Sequence, residues 1–221
     1  MTSLTNRLLV AGIAAGLLGG GASLAAPDDF CHPRKAVAYA ALPFQQVAPI
    51  HVQLTPLADL LASGEGNYNS VNRGWAGDTP GGIEYIMGRT FDYYTVADVM
   101  RMQQWHLYAV GRYRFIPSTL RFAVNASGVS LDDKFDATTQ DRLMAALIAY
   151  KRPYVLAYLQ GSHDDLNGVL DDIAREWASV EYRNGRSYYR RGGNKAKITR
   201  AQVAEVLREI KSTWQDAGVL P

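Results

Sequence analysis

Glu65 is the residue of this sequence best suited to acid–base chemistry, because it directly follows a short helical pattern and lies between two glycines. Thr55 is a fair helix N-cap, and Pro56 fits the first helical position. The apolar face of this helix consists of Leu57, Leu60 and Leu61. Glu65 lies one turn further along the same face, where a carboxylate is costly to ionise and the protonated form of a general acid is favoured. A surface turn residue is the alternative interpretation of Glu65.

Other kinds of catalytic site lack their sequence signals. Ser63 is part of Ser-Gly-Glu-Gly, which is not the Gly-x-Ser-x-Gly pattern of a nucleophile elbow. The sequence has no Gly-Lys-Ser/Thr loop for phosphate. No metal-ligand spacing relates the five candidate ligands His32, His51, His106, His163 and Cys31. We therefore expect neither a metal nor another cofactor.

The first 25 residues have the pattern of a secretory signal peptide. A short segment ending at Arg7 precedes an apolar stretch over residues 8–18, and the small residues Ser23 and Ala25 form a cleavage site. We expect cleavage after Ala25, export to the bacterial periplasm or exterior, and no stable membrane insertion afterwards. An uncleaved N-terminal anchor is the alternative. Cys31 is the only cysteine, so an internal disulfide is excluded.

Composition predicts one globular domain and leaves one unusual charged segment. The chain has 221 residues, 48% of them hydrophobic, and a net charge of +2, which indicates a real core and no global charge bias. Residues 182–198 contain six Arg and Lys residues with interleaved tyrosines and no acid. This basic segment could bind nucleic acid, form the rim of a cleft for an anionic polymer, or be a solvated loop. The signal pattern argues against nucleic acid.

The elements that would position Glu65 are mainly helical. Residues 26–54 contain four prolines and predict an extended lead-in, and residues 66–94 predict a small irregular β-hairpin region. Helical patterns then follow to the end of the chain. Their start signals are Thr95 with Asp98, Pro117, Asp136, and Thr199 with Gln202. We expect an α+β domain, mainly α, over residues 55–221.

Four segments in this order resemble the lysozyme-like superfamily, and are most similar to lambda-type phage endolysins and bacterial peptidoglycan lytic transglycosylases. They are residues 63–66 (SGEG), 111–114 (GRYR), 176–180 (EWASV) and 192–196 (GGNKA). The resemblance covers roughly residues 55–217 and implies a lysozyme-like fold, with a β region after the helix that carries the catalytic glutamate. One departure is Arg114, where the family has glutamine.

The resemblance implies a cell wall-degrading enzyme that cuts the β-1,4 bond between N-acetylmuramic acid and N-acetylglucosamine. Glu65 would first protonate the glycosidic oxygen and then, as a base, take the C6 hydroxyl proton, which leaves a 1,6-anhydro end. A hydrolytic muramidase is the nearest alternative and would need a second carboxylate. The candidates for it are Asp78, Glu84 and Asp92. A non-catalytic peptidoglycan-binding module is the third interpretation.

Six residues are candidates for binding the glycan strand. Tyr68, Asn69 and Asn72 closely follow Glu65, and their amides, hydroxyl and flat ring suit sugars. Tyr113 and Arg114 are suggested by the resemblance, and Arg114 could pair with a lactyl or stem-peptide carboxylate. Tyr188 could approach the cleft from the basic segment. Peptidoglycan is the expected partner, and an envelope secretion or conjugation machine is a further candidate partner.

Overall fold

The structure, a computed structural model, describes residues 53–217. The predicted signal peptide and all but the last two residues of the predicted lead-in lie outside the described residues. Between residues 53 and 217 the helices are α1 (Thr55–Glu65), α2 (Gly82–Met87), α3 (Val96–Met102), α4 (Pro117–Ser127), α5 (Ala137–Ala146), α6 (Pro153–Leu159), α7 (Leu166–Glu176) and α8 (Arg200–Asp216). A π-helical segment, Leu147–Lys151, continues α5. The prediction of an α+β domain that is mainly α is therefore confirmed.

The helix starts follow the capping signals of the sequence. Thr95 and Asp98 form a capping box at the start of α3, as Thr199 and Gln202 do at the start of α8. The Asp136 carboxylate caps α5 by accepting a hydrogen bond from the backbone N–H of the third helical residue at 2.8 Å. Only α1 differs, since its N-cap is Leu54 rather than the predicted Thr55.

The predicted β-hairpin over residues 66–94 is only partly right. Strand β1 (Val71–Asn72) is short, and it pairs antiparallel with β2 (Ala109–Val110), which lies beyond α3. Within 66–94 the remaining pairing is one antiparallel bridge between Asn72 and Asp78, and the apolar run that starts at Ile83 forms α2. Such short apolar runs do not distinguish strand from helix by periodicity alone. A second hairpin joins β3 (Glu181–Arg183) to β4 (Arg186–Ser187).

One hydrophobic core fixes the end of α1. Leu57 and Leu61 are fully buried, and α8 packs against α1 as well as against α6 and α7. Trp177 follows α7 and is 2% exposed, so its ring is part of this core. The C-terminal half of the chain is thereby brought to the helix that ends at Glu65. Across residues 53–217, every helix is too short or too polar to cross a membrane.

Candidate active site

Glu65 is the last residue of α1, and two cations from distant parts of the chain cap that helix end. The Arg114 Nε donates to the Glu65 carbonyl at 2.7 Å, and the Lys197 Nζ donates to the Gly64 carbonyl at 2.9 Å. The last carbonyls of a helix have no intrahelical partner and carry the negative end of its dipole. Two cationic donors therefore satisfy this helix end and hold Glu65 at a defined place.

The Glu65 carboxylate is half-buried and is held by a backbone donor. Its Oε1 accepts a hydrogen bond from the Ser179 N–H at 2.9 Å. The Ser179 carbonyl in turn accepts hydrogen bonds from the N–H groups of Lys197 and Ile198, at 2.7 and 3.0 Å. The Ser179 Oγ is buried and has no hydrogen-bond partner among the residues described. The segment after α7 thus orients the carboxylate through its main chain.

The contact between α1 and Ser179 depends on Gly64. A Cβ atom at Gly64 would lie 2.6 Å from the Ser179 Oγ and 2.8 Å from the Ile198 Cδ1. Both separations are shorter than van der Waals contact, so the main chain of α1 approaches this segment as closely as glycine permits. Packing therefore explains why the second residue of the Ser-Gly-Glu motif is glycine.

The chain turns sharply after Glu65 and delimits a polar cavity. Gly66 has a φ of 151°, and a Cβ there would lie 2.3 Å from the Ser70 Oγ. Ser70 also accepts a hydrogen bond from the Asn67 N–H at 2.9 Å. The cavity beyond this turn has a volume of about 240 Å³. Its polar lining includes Asn67, Asn69, Thr79, Glu84 and Arg114.

Polar groups in this cavity remain available to a ligand. The Thr79 Oγ1 is buried without a hydrogen-bond partner among the described residues. The Asn69 Oδ1 accepts from the Phe91 N–H at 2.9 Å, which fixes the amide while its NH₂ group makes no hydrogen bond in the described part of the chain. Glu84 is exposed at the cavity and forms no ion pair with a described residue. The groups open to a ligand are therefore the Asn69 NH₂ and the Glu84 carboxylate, whereas the Thr79 Oγ1 is an exception to the rule that buried polar groups are hydrogen-bonded.

Arg114 lies beside Glu65 in an unusual backbone conformation. Its φ is 52°, which side chains other than glycine rarely adopt, and it lies in the tight turn between Val110 and Phe115. Its Nη1 donates to the Asp78 Oδ1 at 2.8 Å while its Nε holds the Glu65 carbonyl. The guanidinium is thus already engaged by two protein groups. Arg114 also lines the cavity, and its pairing with a substrate carboxylate stays a prediction.

Asp78 is the candidate second carboxylate with a link to Glu65. It accepts hydrogen bonds from Arg114 and from the Asn72 Nδ2, the latter at 2.8 Å. Glu84 lines the 240 Å³ cavity, whereas Asp92 lines a separate cavity of about 180 Å³ and accepts from the Thr90 hydroxyl. Asn72 also holds the 72–78 loop, because its Oδ1 accepts a hydrogen bond from the Gly74 N–H at 2.8 Å, and its predicted contact with the glycan stays a prediction.

Tyr68 and Tyr113 meet at one carboxylate. Their hydroxyls donate to Asp141, the Tyr68 hydroxyl at 3.0 Å and the Tyr113 hydroxyl at 2.5 Å, and Arg112 donates to both hydroxyls. Burial and the hydrogen bond to Asp141 raise the pKa of each hydroxyl above its ordinary value. Arg112 also pairs with Asp59 of α1. These groups tie the loop after Glu65 to α1 and α5.

The two tyrosines differ in what they offer a ligand. Tyr113 is 3% exposed, so we infer that it supports the site from within the core and presents little surface to a sugar. Tyr68 is half-buried and lines the smaller cavity together with Asn69. Asn69 lines both cavities.

Tyr188 belongs to a separate aromatic cluster. Its ring packs edge-to-face on Tyr182, with centroids 5.1 Å apart, and the Arg175 guanidinium lies 5.8 Å from its centroid. No contact within residues 53–217 joins Tyr188 to Glu65 or to the residues of either cavity. The basic segment reaches the site instead through Lys197, whereas Arg186, Arg190 and Arg191 are exposed.

Several residues of the site were not identified from the sequence. Ser179 lies in the Trp-Ala-Ser block and Lys197 in the basic segment, so both segments carried a signal but neither residue was singled out. Arg112 likewise lies in the 111–114 segment without being singled out, and Asp141 gave no signal, because a charged residue on a helix is usually a solvated one.

The chain has no match among the family models, the curated proteins or the solved structures that were compared with it. Within residues 53–217, no group of three or more His, Cys, Asp or Glu side chains is arranged to hold a metal ion.

Proposed function

We propose that this protein is an exported enzyme that cleaves peptidoglycan as a lytic transglycosylase, with Glu65 as its acid and then its base. The observation that carries the proposal is the Glu65 carboxylate at the end of α1, oriented by the Ser179 N–H at 2.9 Å. It directly precedes the turn that delimits the 240 Å³ polar cavity. Asn67, two residues after Glu65, lines this cavity, and a carboxyl group held at a fixed place near a polar cavity suits the role of a general acid.

The mechanism uses one carboxyl group in two steps. Glu65 gives its proton to the glycosidic oxygen between N-acetylmuramic acid and N-acetylglucosamine, and the bond to the leaving sugar breaks. The carboxylate that results takes the proton of the C6 hydroxyl, whose oxygen bonds to C1 of the same sugar. The products are a 1,6-anhydro end and a free hydroxyl end, and Glu65 regains its proton. No water is consumed.

The surroundings of Asp78 favour a mechanism with one catalytic carboxylate over a mechanism with two. A retaining glycosidase needs its second carboxylate free to attack the sugar. One Asp78 oxygen instead accepts from both Arg114 and Asn72, and such charge-assisted hydrogen bonds hold a carboxylate firmly in place. Glu84 is not held in this way, and it lines the 240 Å³ cavity. A hydrolytic muramidase that uses Asp78 is the second candidate, because Arg114 connects Asp78 to the Glu65 carbonyl.

The test is digestion of purified sacculi followed by mass spectrometry of the released muropeptides. Wild type should release 1,6-anhydro products, and Glu65→Gln should lower the rate by about 10²–10⁴-fold because it removes the transferable proton. Glu84→Gln is the matched control and should retain activity within about tenfold. Near-full activity of Glu65→Gln would refute the assignment.

The same digestion separates the alternatives. Reducing ends in place of anhydro ends, together with a loss in Asp78→Asn that equals the Glu65→Gln loss, would establish the muramidase. Binding of sacculi without any turnover by wild type would establish a non-catalytic binding module.

A further inference from the structure

Trp75 is an unusually exposed aromatic residue at the tip of a short loop. The indole is 97% exposed, and the loop comprises residues 72–78. Tyr108, 37% exposed, lies against this loop: a Cβ at Gly74 would be 3.9 Å from the Tyr108 Cβ. A single exposed apolar side chain needs no explanation, but two exposed aromatic residues at one short loop form a surface that suits a ligand.

The loop that carries Trp75 is fixed by hydrogen bonds at its base. The Arg73 N–H donates to the Gly77 carbonyl, and the Gly77 N–H donates to the Gly74 carbonyl, both at 2.9 Å. The Asn72 side chain accepts from the Gly74 N–H and donates to Asp78, both at 2.8 Å. Gly74 and Gly77 have φ values of 65° and 73°, which a glycine adopts without strain. The backbone at Trp75 is therefore fixed before a ligand binds, so binding need order little beyond the indole side chain.

The base of this loop is part of the candidate active site. Asp78 accepts the hydrogen bond from Arg114, which holds the Glu65 carbonyl, and the next residue, Thr79, lines the 240 Å³ cavity. Trp75 lies four residues before Thr79, so the chain limits the distance of its Cα from the cavity wall to roughly 14 Å. Trp75 thus lies near the cavity rather than on an unrelated surface.

We propose that Trp75, with Tyr108 beside it, is a stacking platform for a sugar ring of the glycan strand outside the cavity. The proposal rests on the proposed function, because an extended glycan bound at Glu65 must leave the cavity across its rim. The flat indole packs on the apolar face of a sugar ring, and its N–H can donate to a sugar oxygen.

Continuity with the cavity favours a glycan over a lipid surface as the occupant. The loop that carries Trp75 leads directly to Thr79, which lines the 240 Å³ cavity. The charges beside the tip are mixed, since Arg73 is exposed and the Asp78 carboxylate is paired with Arg114. This surface therefore has no concentrated positive charge to attract an anionic lipid surface, whereas stacking of a sugar ring on an indole requires no charge.

The experiment measures binding of inactive Glu65→Gln protein to purified sacculi by cosedimentation. Adding Trp75→Ala should weaken binding about threefold to tenfold, the equivalent of one aromatic contact. Trp105→Ala is the matched control, because Trp105 is 76% exposed but outside the 72–78 loop, and it should leave binding unchanged. In active protein, Trp75→Ala should raise KM for long strands by a similar factor and leave kcat for a short oligosaccharide within about twofold.

The outcomes separate this inference from the proposed function. Equal binding by the Trp75→Ala and Trp105→Ala proteins would overturn the platform and leave the enzyme proposal intact. If the Trp75→Ala protein lost binding to vesicles of anionic phospholipid but kept its binding to sacculi, the platform would be overturned in favour of a lipid contact. Absence of both sacculus binding and muropeptide release by folded wild type would overturn both proposals.

Discussion

Replacing Gly64 with alanine has two opposite effects on stability, and their magnitudes decide the result. Alanine is better than glycine inside a helix by about 1 kcal/mol. The added Cβ, however, would lie 2.6 and 2.7 Å from the Oγ and Cβ of Ser179 and 2.8 Å from the Ile198 Cδ1. Insertion of a methyl group into a packed region typically costs about 1–3 kcal/mol. Helix propensity alone predicts stabilisation, whereas packing predicts the reverse.

The hydrogen bonds of Ser179 indicate that packing prevails. Its carbonyl accepts two backbone N–H groups and its own N–H donates to Glu65, so this segment cannot yield without losing them. We therefore take the upper end of the packing cost and expect Gly64→Ala to lower the free energy of unfolding by about 2 kcal/mol. For a domain of this size that is a fall in Tm of about 4–8 °C.

Thermal and urea unfolding followed by circular dichroism measure this change. Gly192→Ala is the control, because a Cβ there would meet only the Asn194 Nδ2 at an ordinary 3.5 Å. Ser179→Gly removes both Ser179 contacts, so the double mutant should recover more than about 0.5 kcal/mol relative to the sum of the single changes. A Gly64→Ala protein as stable as wild type would refute the close approach of α1 to Ser179.

Two further predictions concern a capping box and the basic segment. Asp98→Asn should lower stability at pH 7 by about 1 kcal/mol, as loss of a helix-capping interaction does. The backbone hydrogen bond from Thr95 lowers the pKa of Asp98, so its stabilisation is present above the ordinary value of 3.8 and is lost as the pH falls below it. The difference in Tm between the two proteins should therefore shrink in melts at successively lower pH. Replacing Arg186, Arg190 and Arg191 together with Gln should weaken cosedimentation with sacculi and flatten its salt dependence, since exposed charges act through screened attraction. Identical salt curves for wild type and mutant would mean that the segment is only a solvated face.

Local signals in the sequence predicted the helices well. Capping boxes and prolines act within one helical turn, so Thr95, Pro117 and Thr199 mark helix starts without knowledge of the rest of the chain. The apolar spacing of α1 placed Glu65 at the helix end for the same reason. Residues 66–94 were harder, because Gly82–Met87 is too short for its periodicity to distinguish helix from strand.

The contacts of the site were beyond local reasoning. Glu65 is held by Ser179, and Arg114 by the Glu65 carbonyl and Asp78, and each of these pairs is distant in sequence. The sequence shows that Arg114 is a cation but not which oxygen its guanidinium meets. Tyr113 illustrates the same limit, since a tyrosine after Gly-Arg suits a cleft and a core equally.

Because Glu65 accepts its hydrogen bond from the distant Ser179 N–H, the site is completed late during synthesis. The two residues are 114 positions apart, and Lys197, which caps the same helix end, is 133 positions from Gly64. A ribosome adding about 5–20 residues per second makes Glu65 roughly 6–23 s before Ser179. Until then α1 has neither its carboxylate partner nor its lysine cap, so a growing or truncated chain carries Glu65 without the geometry that orients it. Completion of the site thus coincides with completion of the domain.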